Sequence, residues 1–599
     1  IIMAAAGNIT DNTLAEAANV TAQGLRLRAG GSVGAGGGTE SDVNAAALNT
    51  AVGTLDAYVG QNIYVDEADA VTVGGVGSVS VGQARFNSGT TLVNDGGPAG
   101  VDAGAVVKLK AGGTVTVAGT MIAGTDALIL TTVGDVILDA DVTATAGDAS
   151  AVAAAGVTQN ADIAAGGDLY VQALGGDIAM TDGTSGTAGG NLRYAASGDI
   201  LVGALAAAVD ASLVAGNDIL DNTALEAANV NALGLRLAAG GSVGAGGGTE
   251  SDVNAAALNT AVANLEADAG LNVYVDELDE VTVGGVDGVT AGMARFDSGT
   301  TAVADGDLAG VAAAAGVAKL KAGGTVTVGE AFAAGTDALI LTTAGDVILD
   351  AGVTAGRHAA VVAAAGVGQN ADIAAGGDLY VAALAGDVAM ADGTSGTAGG
   401  DLRYAAAGDI LVGALAAAGD ASLAAGNDIL DNTLAETANV TALGLRLAAG
   451  GSVGGASGTE SDVNARALDI AAANLEAAAG VDIHAQSLNA VEVGGVGDIA
   501  VSYARFDSGA TVVTDLDLAG AGAGGDAKLL GAGAVTVSET FAAGGDALIL
   551  TTAGDVTLNA DVTAAGLATV VAAAGVAQNA GIAAGGDLYV AALAGDVAM

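Results

Sequence analysis

The chain has 599 residues, 99 of them Gly, with one Pro and no Cys or Trp. It carries 67 acids against 16 bases, a formal charge of −51, and is 52% hydrophobic with only 2% aromatics. The missing thiols exclude disulfide-stapled modules and Cys-ligated metal proteins. The missing basic face excludes nucleic-acid binding, and the Val, Ile and Leu throughout exclude a disordered acidic tail.

A long internal repeat organises everything else. The string Thr39-Glu40-Ser41-Asp42-Val43-Asn44 recurs from Thr249 and from Thr459, 210 residues apart each time. Ala84-Arg85-Phe86 recurs from Ala294 and Ala504 at the same spacing. Gly167-Asp168-Leu169-Tyr170-Val171 recurs from Gly377 and Gly586, at spacings of 210 and 209. Copy one occupies 1–180 and enters mid-repeat, with its closing coils at 181–215. Copy two covers 216–425, and copy three, truncated, covers 426–599. We expect these to form one continuous solenoid, and a parent chain that continues in at least one direction.

Within each copy, Gly-rich turns punctuate short alternating segments. In chain order these include Ile63-Tyr64-Val65, Val71-Thr72-Val73, Thr114-Val115-Thr116-Val117, Val136-Ile137-Leu138, Leu169-Tyr170-Val171 and Ile200-Leu201-Val202. The alternation predicts short strands with one face in and one face out. Gly with a following Asp or Asn predicts the corners, where the Asp can cap backbone N–H groups. A sandwich needs bulkier cores and hairpin signals such as Asn-Gly. A solenoid coil meets only its neighbours, so Ala, Val, Leu and Ile suffice. The expected fold is therefore all-β, a parallel β-helix (β-solenoid) with ~20 residues per coil. At ~4.8 Å per coil, one copy is ~50 Å long. Residues 41–60 fit helical spacing as well as strands, through Val43, Ala47, Leu48, Val52, Leu55 and Val59. The uncharged stretch 562–586 has the length of a membrane span. Its apolar residues are mostly Ala, and Gln578 and Asn579 interrupt it, so it reads as repeat core.

The cycle Leu25-Arg26-Leu27-Arg28-Ala29-Gly30-Gly31-Ser32-Val33-Gly34, then Asn62-Ile63-Tyr64-Val65, then Leu109-Lys110-Ala111-Gly112-Gly113-Thr114-Val115-Thr116-Val117 carries a resemblance. It resembles the repeat region of the filamentous-haemagglutinin-like large exoproteins of Gram-negative bacteria. The resemblance covers essentially the whole chain, and its motifs are degenerate. It implies a right-handed parallel β-helix, a surface adhesin, and export by a two-partner or autotransporter route. It also moves residues 41–60 towards strand.

No constellation for chemistry stands out, so no catalytic, cofactor-binding or metal residue is assigned and no enzyme is expected. His358 and His484 each occur in one copy of three, the counterparts of His484 being Tyr64 and Tyr274. The acids Asp66, Glu67 and Asp69 recur as Asp276, Glu277, Asp279 and Glu280, but give way to Ala485-Gln486-Ser487-Leu488-Asn489. They read as a tolerant solvated face. Gly216-Asn217-Asp218 and Gly426-Asn427-Asp428 give one echo per copy of calcium-binding nonapeptides. Diffuse screening by cations is the simpler expectation, with calcium the one specific cofactor to consider. The recurring Arg26, Arg236 and Arg446, Arg85, Arg295 and Arg505, Arg193 and Arg403, and Lys110 and Lys321 are read as relieving carboxylate repulsion on adjacent coils. Tyr170, Tyr380 and Tyr589 are read as strand packing. The expected function is the structural shaft of a secreted bacterial surface adhesin or filament. The alternative is a self-assembling extracellular fibre, sheath or surface layer with the 210-residue repeat as its unit. The expected location is extracellular, at the cell surface. The expected partners are cell-surface or matrix components and other copies of the chain, with no nucleic acid and no membrane span in this segment.

Overall fold

The computed structural model describes residues 1–13, 17–36, 46–97, 99–224, 227–246, 256–297, 299–435, 437–455, 466–507 and 509–599. Those residues contain strands and turns but no helix. The chain divides into two units, Ile1–Glu277 with Gly285–Ala309, and Leu278–Gly284 with Gly310–Met599. Each is a β-solenoid of parallel strands stacked about 21 residues apart.

In the first unit, one column of strands runs through Val107–Ala111, Ala127–Thr131, Ala149–Ala153, Leu169–Ala173 and Leu192–Ala196, each in parallel register with the next. A second column runs through Val115–Val117, Val136–Leu138, Val157–Gln159 and Ile178–Met180. A third includes Thr120–Ala123, Val142–Ala144 and Ile163–Ala165. Each of these coils thus supplies three strands. The short strands bury their outer residues and turn the central one outward. The ladder Val115, Val136, Val157 and Ile178 is at most 1% exposed. β-branched side chains suit this stacking because their one preferred rotamer repeats at every coil. Each such buried side chain contributes roughly 1.5–3 kcal/mol. The second unit repeats the pattern through Ala318–Ala322, Ala338–Thr342, Ala359–Ala363, Leu379–Ala383 and Leu402–Ala406.

Two devices build the corners. At one corner Gly30, Gly60, Gly104 and Gly124 stack. A methyl group on Gly60, Gly104 or Gly124 would lie 2.1–2.3 Å from the carbonyl oxygen of the glycine one coil before, so only Gly fits. Further on, a ladder of side-chain oxygens caps the turns. Asp126 Oδ1 accepts from Asp148 N (3.2 Å), Asp148 Oδ1 from Asp168 N (2.9 Å), and Asp168 Oδ1 from Asn191 N (2.8 Å). The acidity follows from this: a coil edge needs an acceptor at each turn, and Asp supplies it. Burial, opposed by the bond from Asp168 N and reinforced by the charges of Asp168 and Asp126, raises the pKa of Asp148.

Residues 48–59 are one 12-residue strand, paired in parallel with Val20–Ala29, so the helical alternative for this stretch fails. Leu48, Val52, Leu55 and Val59 all point inward, because a long strand with a shift of face mimics helical spacing. The start of that segment, 41–45, lies outside the described residues. The uncharged stretch 562–586 contains the strands Val562–Ala564, Ala568–Ala572, Val576–Gln578 and Ile582–Ala584. No helix among the described residues is long and apolar enough to cross a membrane.

Among the described residues, each copy interrupts its coils once with an antiparallel hairpin, which the absence of Asn-Gly did not predict. Hairpin 1 pairs Val79–Ala84 with Thr90–Asp95. Hairpin 2 pairs Val289–Ala294 with Thr300–Asp305. Hairpin 3 pairs Ile499–Ala504 with Ala510–Asp515. The hairpin is an excursion from a single coil, so Ile63 pairs with Val107, and Ile483 with Ala527, 44 residues on.

Candidate functional site

The hairpins are the chain's most elaborate departure from the coil. Their tips close without Asn-Gly. Arg85 N donates to Gly89 O at 2.8 Å, and Ser88 takes a left-handed φ of 64°. In hairpin 2 Asp297 stabilises the tip, accepting from Gly299 N at 3.1 Å and pairing with Arg295 at 2.6 Å. Arg505 and Asp507 do the same in hairpin 3.

Hairpin 2 folds onto the coils before it, crossing four successive strands of the first column, Ala149–Ala153, Leu169–Ala173, Leu192–Ala196 and Asp210–Ala215. Its underside, Ala291 with Met293 and Val303, packs on Leu130, Val152 and Tyr170. At the base, Asp305 accepts two bonds from Arg193 (2.8 and 3.0 Å) and one from Ser212 Oγ (2.7 Å). Along the edge, Gly292 N donates to Asp168 Oδ2 and Ala294 N to Ser150 Oγ. At the tip, Lys108 Nζ donates to Asp297 O at 2.8 Å, and Lys110 Nζ lies 5.7 Å from the centre of the Phe296 ring. The strand edges of a lone hairpin would otherwise be open to any chain.

Hairpin 3 repeats this within the second unit. Asp515 accepts from Arg403 (2.8 and 3.1 Å) and Ser422 Oγ (2.5 Å). Lys319 Nζ donates to the carbonyls of Arg505 and Asp507, and Lys321 lies 5.6 Å from the Phe506 ring centre. Tyr503 stacks on Tyr380 with ring centres 4.6 Å apart, and Ile499 and Val501 join Leu339 and Val362. Burial pushes the Asp305 and Asp515 carboxyls up. The bonds from Arg193 and Ser212, or Arg403 and Ser422, more than offset it and hold both below the usual carboxylate value. Burial likewise lowers the pKa of Lys108 and Lys319.

Hairpin 1 packs on no such seat among the described residues. Phe86 is fully exposed, and Val81, Leu92 and Val93 are 45%, 69% and 45% exposed. Its base is tied within its own copy. Asp95 pairs with Arg28 at 2.8 Å, and Arg26 Nη1 donates to the Asp95 carbonyl. Ala238 and Ala448 stand where Arg28 does.

The residues singled out in the sequence find structural places. Arg26 and Arg446 pair at 2.9 Å with Asp56 and Glu476, their register partners on the next coil, as expected. Lys110 pairs with Asp66 in the same way. Arg193 and Arg403 do not: they bind a hairpin 112 residues away. Tyr170 and Tyr380 lie in strands, as expected, but their rings also form the seat of a hairpin. The acidic stretch is not a uniform solvated face. Asp69 is exposed, but Glu67 is 1% exposed and accepts from Thr50 Oγ1 (2.6 Å) and Val52 N (3.0 Å). Copy three replaces both partners, Thr50 by Ile470 and Glu67 by Ser487, so the buried pair leaves as a unit. His358 occupies the rung of Asp148, with Nδ1 accepting from Asp378 N at 3.0 Å. His484 is 7% exposed, and burial lowers its pKa. The calcium echo is part of the turn ladder. Asp218 and Asp428 accept from Ser242 N and Ser452 N at 2.6 Å, and Asn8 does the same for Ser32 N at 2.8 Å. The position requires an acceptor oxygen, not a charge.

In the second unit, Glu476, Asp517 and Glu539 bring carboxylate oxygens within 4.8 Å of one another. A guanidinium already sits there: Arg446 Nη2 is 2.9 Å from Glu476 and 4.0 Å from Asp517. Val496 N and Leu518 N donate to Glu476 as well. Comparison with protein-family models, with curated proteins and with solved structures returned no match.

Proposed function

We propose that this chain is the structural shaft of a secreted bacterial surface adhesin or filament, extending a tip away from the cell. The observation that carries this reading is the hairpin seat. Each docked hairpin ties coils that are several turns apart, from Lys108 to Ser212 in the first unit and from Lys319 to Ser422 in the second. Bending or unwinding those coils must break an ion pair, a hydrogen bond and an apolar contact together. Stiffening of this kind serves a spacer. The turn ladder of carboxylates keeps such a surface charged and shafts apart. The scarcity of Lys and Arg removes trypsin-like cleavage sites. The resemblance to filamentous-haemagglutinin-like exoproteins supports placing it at the surface of a Gram-negative cell.

Electron microscopy of the native material on cells, with and without a chelator, tests this. Isolated rods unchanged by the chelator are the expected result. Compact particles in both conditions would overturn the reading. A lattice with a ~50 Å axial repeat that disperses on chelation would replace it with a cation-dependent surface layer.

A further inference from the structure

A cavity of about 270 Å³ lies under the tip of hairpin 3, within the second unit. Leu339, Leu341 and Val362 of the coils and Tyr503 and Phe506 of the hairpin give it apolar walls. Arg505 and Asp507 complete the lining. Their side chains are 56% and 53% exposed, so this is the end that meets solvent. We propose that the cavity is a binding site for a small aromatic carboxylate, with the ring inside and the carboxylate on Arg505.

The hairpin cannot sink to close the space, because it is held at both ends. Arg403 and Ser422 fix Asp515 at the base, and Lys319 Nζ holds the carbonyls of Arg505 and Asp507 at the tip. Protein interiors seldom leave such voids. An apolar void is poorly hydrated, so an apolar group gains by filling it. A cavity of about 150 Å³ takes up benzene, so this one admits roughly ten non-hydrogen atoms. The Tyr503 and Phe506 rings in its wall favour an aromatic occupant through offset or edge-to-face contacts.

The polar end selects the charge. Asp507 has both carboxylate oxygens engaged, Oδ2 by Arg505 Nη2 at 2.7 Å and Oδ1 by Gly509 N at 2.9 Å. Arg505 commits one N–H of its guanidinium to Asp507, and the fork carries several more. Donors and positive charge therefore remain at the opening, and a planar fork suits a carboxylate. Lys319 and Lys321 add positive charge at the same tip, Lys321 at 5.6 Å from the Phe506 ring centre. Elsewhere the carboxylate ladders of a chain with a net charge of −51 repel anions. This site goes beyond the shaft reading and does not rest on it: a shaft without the ligand would leave that reading as it stands.

The test titrates the full chain with phenylpropionate and, separately, with its neutral analogue phenylpropanol. Binding is read as slowed amide exchange in Ile499–Asp515. Phenylpropionate should protect these amides saturably and bind roughly tenfold more tightly than the alcohol. Arg505→Gln should remove that preference. The Arg505 side chain is about half exposed, so this change leaves the fold intact. Leu341→Phe fills the cavity and should abolish protection by both compounds, with the near-ultraviolet signal of the Tyr380–Tyr503 stack showing that the hairpin stays docked. If that variant undocks, the Arg505→Gln comparison still decides. No saturable protection by phenylpropionate would overturn the proposal. So would equal affinity for acid and alcohol, or a preference for the acid that survives Arg505→Gln.

Discussion

Hairpins 1 and 3 have the same length and register and lie 420 residues apart, yet one stands in solvent and the other is clamped. The difference does not lie in the hairpins' backbones. Hairpin 3 packs on a coil face about a hundred residues before it, carrying Tyr380, Arg403 and Ser422, whereas hairpin 1 packs on no such face among the described residues. Tyr503 stacks on Tyr380 where hairpin 1 carries Gln83, and Asp95 of hairpin 1 pairs with Arg28.

The largest test of that contrast is removal of the clamp arginine. Arg403→Ala leaves Asp515 part-buried without its ion pair, at a cost of about 3–5 kcal/mol. Amide exchange in Ile499–Asp515 should accelerate on the order of 10²–10⁴-fold, while the amides of Leu402–Ala406 hold. Equal acceleration in both would mean that the hairpin and coils open as one.

Acid should separate hairpin from coil in the same direction. Asp305 and Asp515 have depressed pKa values, so the stability they contribute is complete above the ordinary carboxylate range near ~4. It is lost as pH falls through their lower folded values. Asp148 and Asp401, on the coil ladder, have raised values, chiefly through burial. Their ionisation opposes folding, and acid relieves it. Below about pH 4, the near-ultraviolet signal of the Tyr380–Tyr503 stack should fade before the far-ultraviolet strand signal. Simultaneous loss would contradict this.

A smaller change makes hairpin 2 resemble hairpin 3. Met293→Tyr places a ring over Tyr170 and should stabilise docking by roughly 0.5–1.5 kcal/mol, read as slower exchange in Val289–Asp305. The smallest effect belongs to hairpin 1. Arg28 is 42% exposed, so Arg28→Ala should cost only about 0.2–1 kcal/mol. A loss as large as that of Arg403→Ala would mean that the two hairpins are held alike.

The coils were legible because their physics is local. Gly at a crowded corner, Asp as a turn cap and alternating Val or Ile are dictated by a neighbour one coil away, and that relation prints itself as a period. The paired loss of Thr50 and Glu67 was equally visible as two substitutions, but only the bond between them explains the pair. The hairpins were not legible, since their tips use Arg, Ser and Gly in place of Asn-Gly. Their seats were less so: Arg193 and Asp305 are 112 residues apart, and nothing in either segment marks the other.

By itself, the sequence determined an all-β chain of three near-identical copies, its short coils and the acidity of its edges, because adjacent coils impose the same requirement again and again. Only the tertiary structure decided which arginines serve a neighbouring coil and which a distant hairpin. Those contacts depend on where an excursion lands after several coils have stacked, and stacking sets that distance, not spacing along the chain.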